Sequence, residues 1–221
     1  MRKLVFTVIV VFILTASAAA QTYTREKEWA NEINAFLEID KKQTPPKDPV
    51  VFTGSSTIRM WASLRQDFPN LNVMNRGFGG SRLDDLVFFA PKIVAPYKPK
   101  MIVVYSGEND IEGKETPENA LEDLKAFISF RDKTLPKTPV IYISMKPSIL
   151  RWSLWPEMKR GNELIRTEIS KHKNVRYVDI SAAMLGPNGE KPPADIFVAD
   201  GLHLNAKGYA IITKALKPFV K

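Results

Sequence analysis

Short apolar runs alternate with longer amphipathic stretches along most of the chain. Residues 49–53, 72–75, 101–106, 140–144 and 175–179 form apolar runs of four to six residues, bounded by turn-forming residues. Such runs predict strands buried on both faces. Residues 81–94, 116–133, 155–171 and 206–220 repeat apolar positions at helical spacing, which predicts amphipathic helices. Strands separated by helices need right-handed crossovers, so the five strands are expected to lie in a mostly parallel sheet with helices on both faces. In that architecture the loops leaving the carboxyl ends of the strands gather on one edge, and chemistry is expected there.

The pattern changes ahead of the first strand. Trp29, Ile33, Phe36 and Leu37 share one face of a helix expected over 26–40, and residues 41–48, with Pro45-Pro46, break it. At the start, Arg2 and Lys3 precede an apolar run over 4–14 and then Ala18-Ala19-Ala20-Gln21. A basic start, a short apolar run and an Ala-x-Ala site predict a signal peptide over 1–20, cut after Ala20. The expected organisation is therefore a signal peptide (1–20), an N-terminal helix and linker (21–48) and one globular domain (49–221). The location that follows is bacterial, periplasmic or secreted, with no membrane span left after cleavage.

Composition narrows the chemistry. With 221 residues, 44% hydrophobic and 25% charged, the chain is long enough to bury a sizeable core. It has no cysteine, so an exported form takes its stability from packing rather than disulfides. The net charge of +8 falls to +6 once Arg2 and Lys3 are removed. The remaining Lys and Arg are scattered, so no nucleic-acid partner is expected. Two histidines and no cysteine offer no zinc site, and neither metal nor organic cofactor is expected. The pattern carries no signal for an oligomeric state.

Scarcity of histidine singles out a base. His172 lies in Lys171-His172-Lys173, whereas His203 lies in Asp200-Gly201-Leu202-His203, where a carboxylate three residues away is in reach of the imidazole. Three strand ends offer what such a pair needs. The first strand runs into Gly54-Ser55-Ser56-Thr57, a turn that exposes a hydroxyl above the sheet. The second ends in Asn75-Arg76-Gly77-Phe78-Gly79-Gly80, where glycines let backbone N–H groups approach an anion. Arg82 stands where a dinucleotide fingerprint needs glycine, which excludes that cofactor motif. The third ends in Ser106-Gly107-Glu108-Asn109-Asp110, where an asparagine amide can donate to an oxyanion. Taken singly, each fragment is also ordinary turn or helix-cap chemistry.

In chain order, Ser56, Gly80, Asn109 and the pair Asp200 and His203 resemble the four blocks of the SGNH, or GDSL, hydrolases. The resemblance covers the chain from the first strand onward. One departure is that Ser55 stands where the family name has aspartate, giving a Gly-Ser-Ser form of the first block. The resemblance implies a single-domain three-layer α/β/α sandwich with a flavodoxin-like five-stranded sheet. It implies a serine hydrolase acting on esters, with Ser56 as nucleophile, His203 as base and Asp200 as acid. The oxyanion donors it implies are the N–H groups of Ser56 and Gly80 and the side chain of Asn109. The expected substrate is a small-molecule or glycan ester with a small acyl group, such as a carbohydrate acetyl ester. An envelope acyltransferase, a lysophospholipase and a non-catalytic glycan- or lipid-binding protein are the alternatives. Phe78, Arg151, Trp152 and Trp155 are read either as walls of the substrate pocket or as packing residues.

Overall fold

The computed structural model describes residues 24–221, so the proposed signal peptide lies outside the described residues. The chain divides into two compact units, Met1–Thr44 and Pro45–Lys221. In the first, helical residues 24–28 and a turn at Trp29 lead into α1 (Ala30–Lys42), whose buried residue is Ile33. Among the described residues no helix is long and apolar enough to cross a membrane.

The second unit holds five strands: β1 (Val50–Gly54), β2 (Val73–Gly77), β3 (Met101–Tyr105), β4 (Val140–Ile143) and β5 (Val175–Val178). All pairings are parallel and the order is β2-β1-β3-β4-β5. The parallel sheet is the one expected from the alternation of apolar runs, and its order is the flavodoxin-like one that the resemblance implies. Helices α4 (Leu83–Ile93), α6 (Pro117–Thr134), α7 (Trp155–Ile169) and α8 (Ala206–Leu216) form between the strands and after the last. Two short helices, α2 (Ser56–Arg59) and α3 (Leu64–Asp67), follow β1, and α5 (Glu108–Glu112) follows β3.

Alternation along each strand feeds two cores. Val50, Phe52, Val103, Tyr105, Ile141 and Ile143 join a cluster with Trp61 and with Tyr209, Ile212 and Leu216 of α8. Within it, Trp61 stacks on Tyr209 at 5.2 Å and meets Phe52 edge-on at 5.8 Å. Intervening residues such as Val51, Ile102 and Tyr142 are also buried, on the face opposite. There α4, α6 and α7 pack side by side, with Leu86, Phe89, Leu124, Phe127 and Ile165 turned inward.

Register fixes where chemistry can sit. Gly54 is level with Gly77 of β2 and with Tyr105 of β3, so three strand ends emerge at one height. At this level Gly54 has φ +114°, and a Cβ there would lie 1.9 Å from the Tyr105 carbonyl oxygen. Only glycine combines that left-handed turn with that approach. Gly54→Ala is therefore expected to lower stability by more than about 1 kcal/mol and to displace the turn that follows. Urea denaturation checks this; an unchanged midpoint would mean that the turn tolerates a side chain.

Candidate active site

The turn after β1 is locked before the helix begins. Ser55 donates its N–H to the Tyr105 carbonyl at 2.9 Å and is the extended residue that caps α2. Ser56 is then the first helical residue, partly exposed on the carboxyl edge of the sheet. Ser55, by contrast, is buried. The geometry thus separates two adjacent serines that sequence alone distinguishes only by their distance from Gly54.

The next two loops are tied to this turn and to each other. Phe78 donates its N–H to the Gly54 carbonyl at 2.9 Å, which draws the glycine-rich loop alongside. Gly80 follows, exposed, with φ +85°. Among the described residues neither the Ser56 nor the Gly80 N–H donates to a protein acceptor. Asn109, in the first turn of α5, donates Nδ2–H to the Ser81 carbonyl at 2.9 Å. Beneath it, the carboxylate of Glu108 accepts from Lys146 Nζ at 3.0 and 3.1 Å and from the Tyr105 hydroxyl at 2.7 Å. All three side chains are buried. Burial and the Glu108 charge push the Tyr105 hydroxyl well above its ordinary pKa, so it stays a donor. Removing one partner of such an ion pair strands a buried charge, which fixes α5 against the loop after β4.

The acid–base loop closes the site from the other end of the chain. His203 Nε2 lies 3.1 Å from Ser56 Oγ, and His203 Nδ1 lies 2.6 Å from Asp200 Oδ2. The other Asp200 oxygen accepts the N–H groups of Leu202 and His203 at 2.8 and 2.9 Å. Burial works to raise the Asp200 pKa, but the His203 side chain and these two N–H groups outweigh it and hold the carboxyl at about 2. Asp200 is thus an anion wherever the imidazole needs a partner. Asn205 caps α8 through Oδ1 and donates to the carbonyls of Asp195 and Phe197, which pins the loop just past His203. His172 sits elsewhere, 3.3 Å from Glu168.

The four residues proposed as substrate walls have four different surroundings. Phe78 is fully buried and packs edge-on against Phe89, so it belongs to the core, not to a pocket wall. Trp155 is buried at the start of α7 and lines a separate cleft of about 420 Å³ with Arg166, Tyr177 and Asp179. None of Ser56, Gly80, Asn109, Asp200 or His203 lines that cleft. Trp152 is half-buried in a short 3₁₀ turn, Trp152–Leu154. Arg151 does meet the site, but through protein: its Nη1 donates to Asn109 Oδ1 at 2.9 Å. A more open groove of about 510 Å³ lies beside Asp200, lined by Ile149, Leu150, Phe197 and Val198. Sequence reasoning passed over Tyr105, Glu108 and Lys146. The available signal was a charged residue three positions past the end of each of two otherwise apolar strands.

This arrangement of hydroxyl, imidazole and carboxylate suits acyl transfer. The family model of the GDSL-like lipase/acylhydrolases matches residues 47–211. No curated protein matches the chain by sequence. Among solved structures, the chain is similar to one from Streptococcus pneumonia described as a platelet activating factor. They share 19% identity and a TM-score of 0.77 over 93% of this chain and 98% of that one. A GDSL-like lipase from Bacteroides thetaiotaomicron aligns at 20% identity, TM-score 0.68, over 87% and 95% of the two chains. A variant of an acetyl-xylooligosaccharide esterase from Geobacillus stearmophilus aligns at 18% identity, TM-score 0.61, over 79% and 95%. At these identities the likeness shows a common fold.

Next to Asn109, Asp110 is fully buried and accepts the Leu83 N–H at 3.0 Å, capping α4. Asp110, Glu115 and Asp123 bring carboxylate oxygens within 4.8 Å of one another, and Arg82 reaches Glu115 at 2.9 Å. Burial above all raises the Asp110 pKa to about 7; the Leu83 N–H opposes this and Glu115 adds to it. The folded state therefore holds the Asp110 proton more tightly than the unfolded chain does. That contribution to stability is complete below about pH 4 and is lost as the pH rises through 7. Asp110→Asn keeps the acceptor for Leu83 and should flatten the stability profile between pH 4 and 7. Denaturation midpoints across that range check it, and equal slopes in the two proteins would show that Asp110 does not titrate there.

Proposed function

The chain belongs to the GDSL-like lipase/acylhydrolase family and is a hydrolase acting on esters; from that premise we propose that it is an exported serine esterase working through an acyl-enzyme on Ser56. The observation that carries the reading is the continuous line from Ser56 Oγ to His203 Nε2 at 3.1 Å and from His203 Nδ1 to Asp200 at 2.6 Å. In this reading His203 takes the Ser56 proton as Oγ attacks the ester carbonyl. Asp200 holds the imidazole in the tautomer that can accept it and stabilises the imidazolium that forms. The N–H groups of Ser56 and Gly80 and the Asn109 amide hold the oxyanion. The tetrahedral intermediate then expels the alcohol, which leaves with the proton from His203. Water attacks the acyl-enzyme by the same route and returns free Ser56. The Gly-Ser-Ser form of the first block does not obstruct this, because Ser55 is spent on the turn.

For the substrate we propose a small acyl group on a carbohydrate, an acetyl ester above all. The open groove beside Asp200 leaves room for a bulky alcohol moiety, and one structural neighbour is an acetyl-xylooligosaccharide esterase. Export rests on residues 1–20.

Ser56→Ala should eliminate hydrolysis of p-nitrophenyl acetate and labelling by a fluorophosphonate while the protein stays folded. Ser55→Ala should keep substantial turnover, and Asn109→Ala should lose about 10²–10³ in kcat. An inactive Ser55→Ala beside an active Ser56→Ala would reverse the assignment of the nucleophile. Release of acetate from acetylated xylooligosaccharides at a higher kcat/KM than from p-nitrophenyl butyrate tests the substrate class; the opposite ranking would sink it.

A further inference from the structure

Arg151 lies on the loop after β4, 42 residues from Asn109, yet its guanidinium donates to the Asn109 amide oxygen at 2.9 Å. On its other side Nη2 approaches Glu112 at 3.9 Å, and the Arg151 side chain is only 15% exposed. The opposite end of the Asn109 amide donates to the Ser81 carbonyl. An asparagine amide has two N–H hydrogens and one carbonyl oxygen. With one hydrogen on Ser81 and the oxygen on Arg151, one N–H is left to point outward. Turning the amide over would set its NH₂ against a guanidinium, which has no acceptor, and its oxygen against a carbonyl, which has no donor. Both contacts turn repulsive at once, so the amide has a single orientation.

We propose that Arg151 is a positioning residue of the oxyanion hole, fixing the Asn109 amide so that its remaining N–H faces the developing oxyanion. The inference rests on the Asn109 role given under the proposed function. A cationic donor on the amide oxygen also polarises the amide and strengthens its N–H as a donor, because linked hydrogen bonds reinforce one another in a low-dielectric site. The Arg151 backbone is itself anchored. Its N–H donates to the buried Ser148 hydroxyl at 3.2 Å, and the N–H groups of Ile149 and Leu150 both donate to the Gly201 carbonyl, at 2.9 and 3.1 Å. Gly201 lies inside the Asp200 to His203 loop. One stretch of chain therefore references the oxyanion donor to the acid–base pair.

The test is a double-mutant cycle on p-nitrophenyl acetate hydrolysis, with Arg151→Met, Asn109→Ala and the two combined. Arg151→Met should lower kcat by roughly tenfold or more, the effect of losing one charged hydrogen bond, with KM within about twofold. The combined variant should be no slower than Asn109→Ala alone, since Arg151 acts only through that amide. Arg151→Lys, which restores a single cationic donor, should recover part of kcat. If Arg151→Met does not fold by thermal unfolding, Arg151→Gln takes its place in the same cycle.

Additive losses in the combined variant would overturn the proposal, as would a raised KM with kcat retained, the signature of a substrate contact. An Asn109→Ala enzyme with full kcat would overturn it together with the oxyanion assignment. Loss of Ser56 labelling is read separately and reports on the nucleophile alone.

Discussion

Ser56 Oγ and His203 Nε2 are 147 positions apart in the chain and 3.1 Å apart in space. A hydrogen bond of that length tolerates only a few tenths of an ångström of drift before proton transfer suffers. Neither side chain can hold it alone, so the tolerance passes down to the backbone. On one side the sheet supplies it, through the approach of Gly54 to Tyr105 and the N–H of Ser55 on the same carbonyl. On the other side α8 supplies it, through Tyr209, which stacks on Trp61 and donates its hydroxyl to the Thr57 carbonyl at 3.0 Å. The apolar cluster between sheet and α8 is thus the support of the hydroxyl–imidazole contact. Close packing there matters because a dense interior transmits small displacements instead of absorbing them.

The charged groups around the site do a complementary task. Lys146 and Glu108 join the loop after β4 to α5 inside the core, and Arg151 joins the same two segments nearer the surface. The N–H groups of Ile149 and Leu150 then join that loop to Gly201. Three segments from distant parts of the chain are thereby tied together, although no strand pairing links them. Hydrogen bonds within a site of this kind contribute little net stability each, but they restrict orientation strongly.

Much of this was legible in the sequence, and the reasons differ from element to element. The five strands were readable because a buried parallel strand has to be apolar on both faces, as 101–105 and 140–143 are. Their order in the sheet also follows the expected flavodoxin-like arrangement. Helix α5 was not readable: Asn109 and Asp110 favour caps and turns, and the helix forms because Glu108 and Asp110 find buried partners that only the fold provides. Phe78 and Trp155 stayed open between pocket wall and packing for a related reason. An aromatic residue near a strand end looks the same whether it walls a pocket or fills the core, and burial decided for the core in the first case and a separate cleft in the second. The Asn109 to Arg151 contact spans two loops and had no local pattern to announce it.

The position of α8 has a consequence for synthesis. A chain leaving the ribosome presents the first turn, with Ser56, well before the segment that carries His203, and β1 needs both β2 and β3 before its two edges are paired. Contacts between such distant segments form late, because the entropy of closing the intervening chain has to be overcome first. A hydroxyl without its imidazole is an ordinary alcohol. The Ser56–His203 contact therefore exists only once the two ends of the domain have met, with Tyr209 stacked on Trp61.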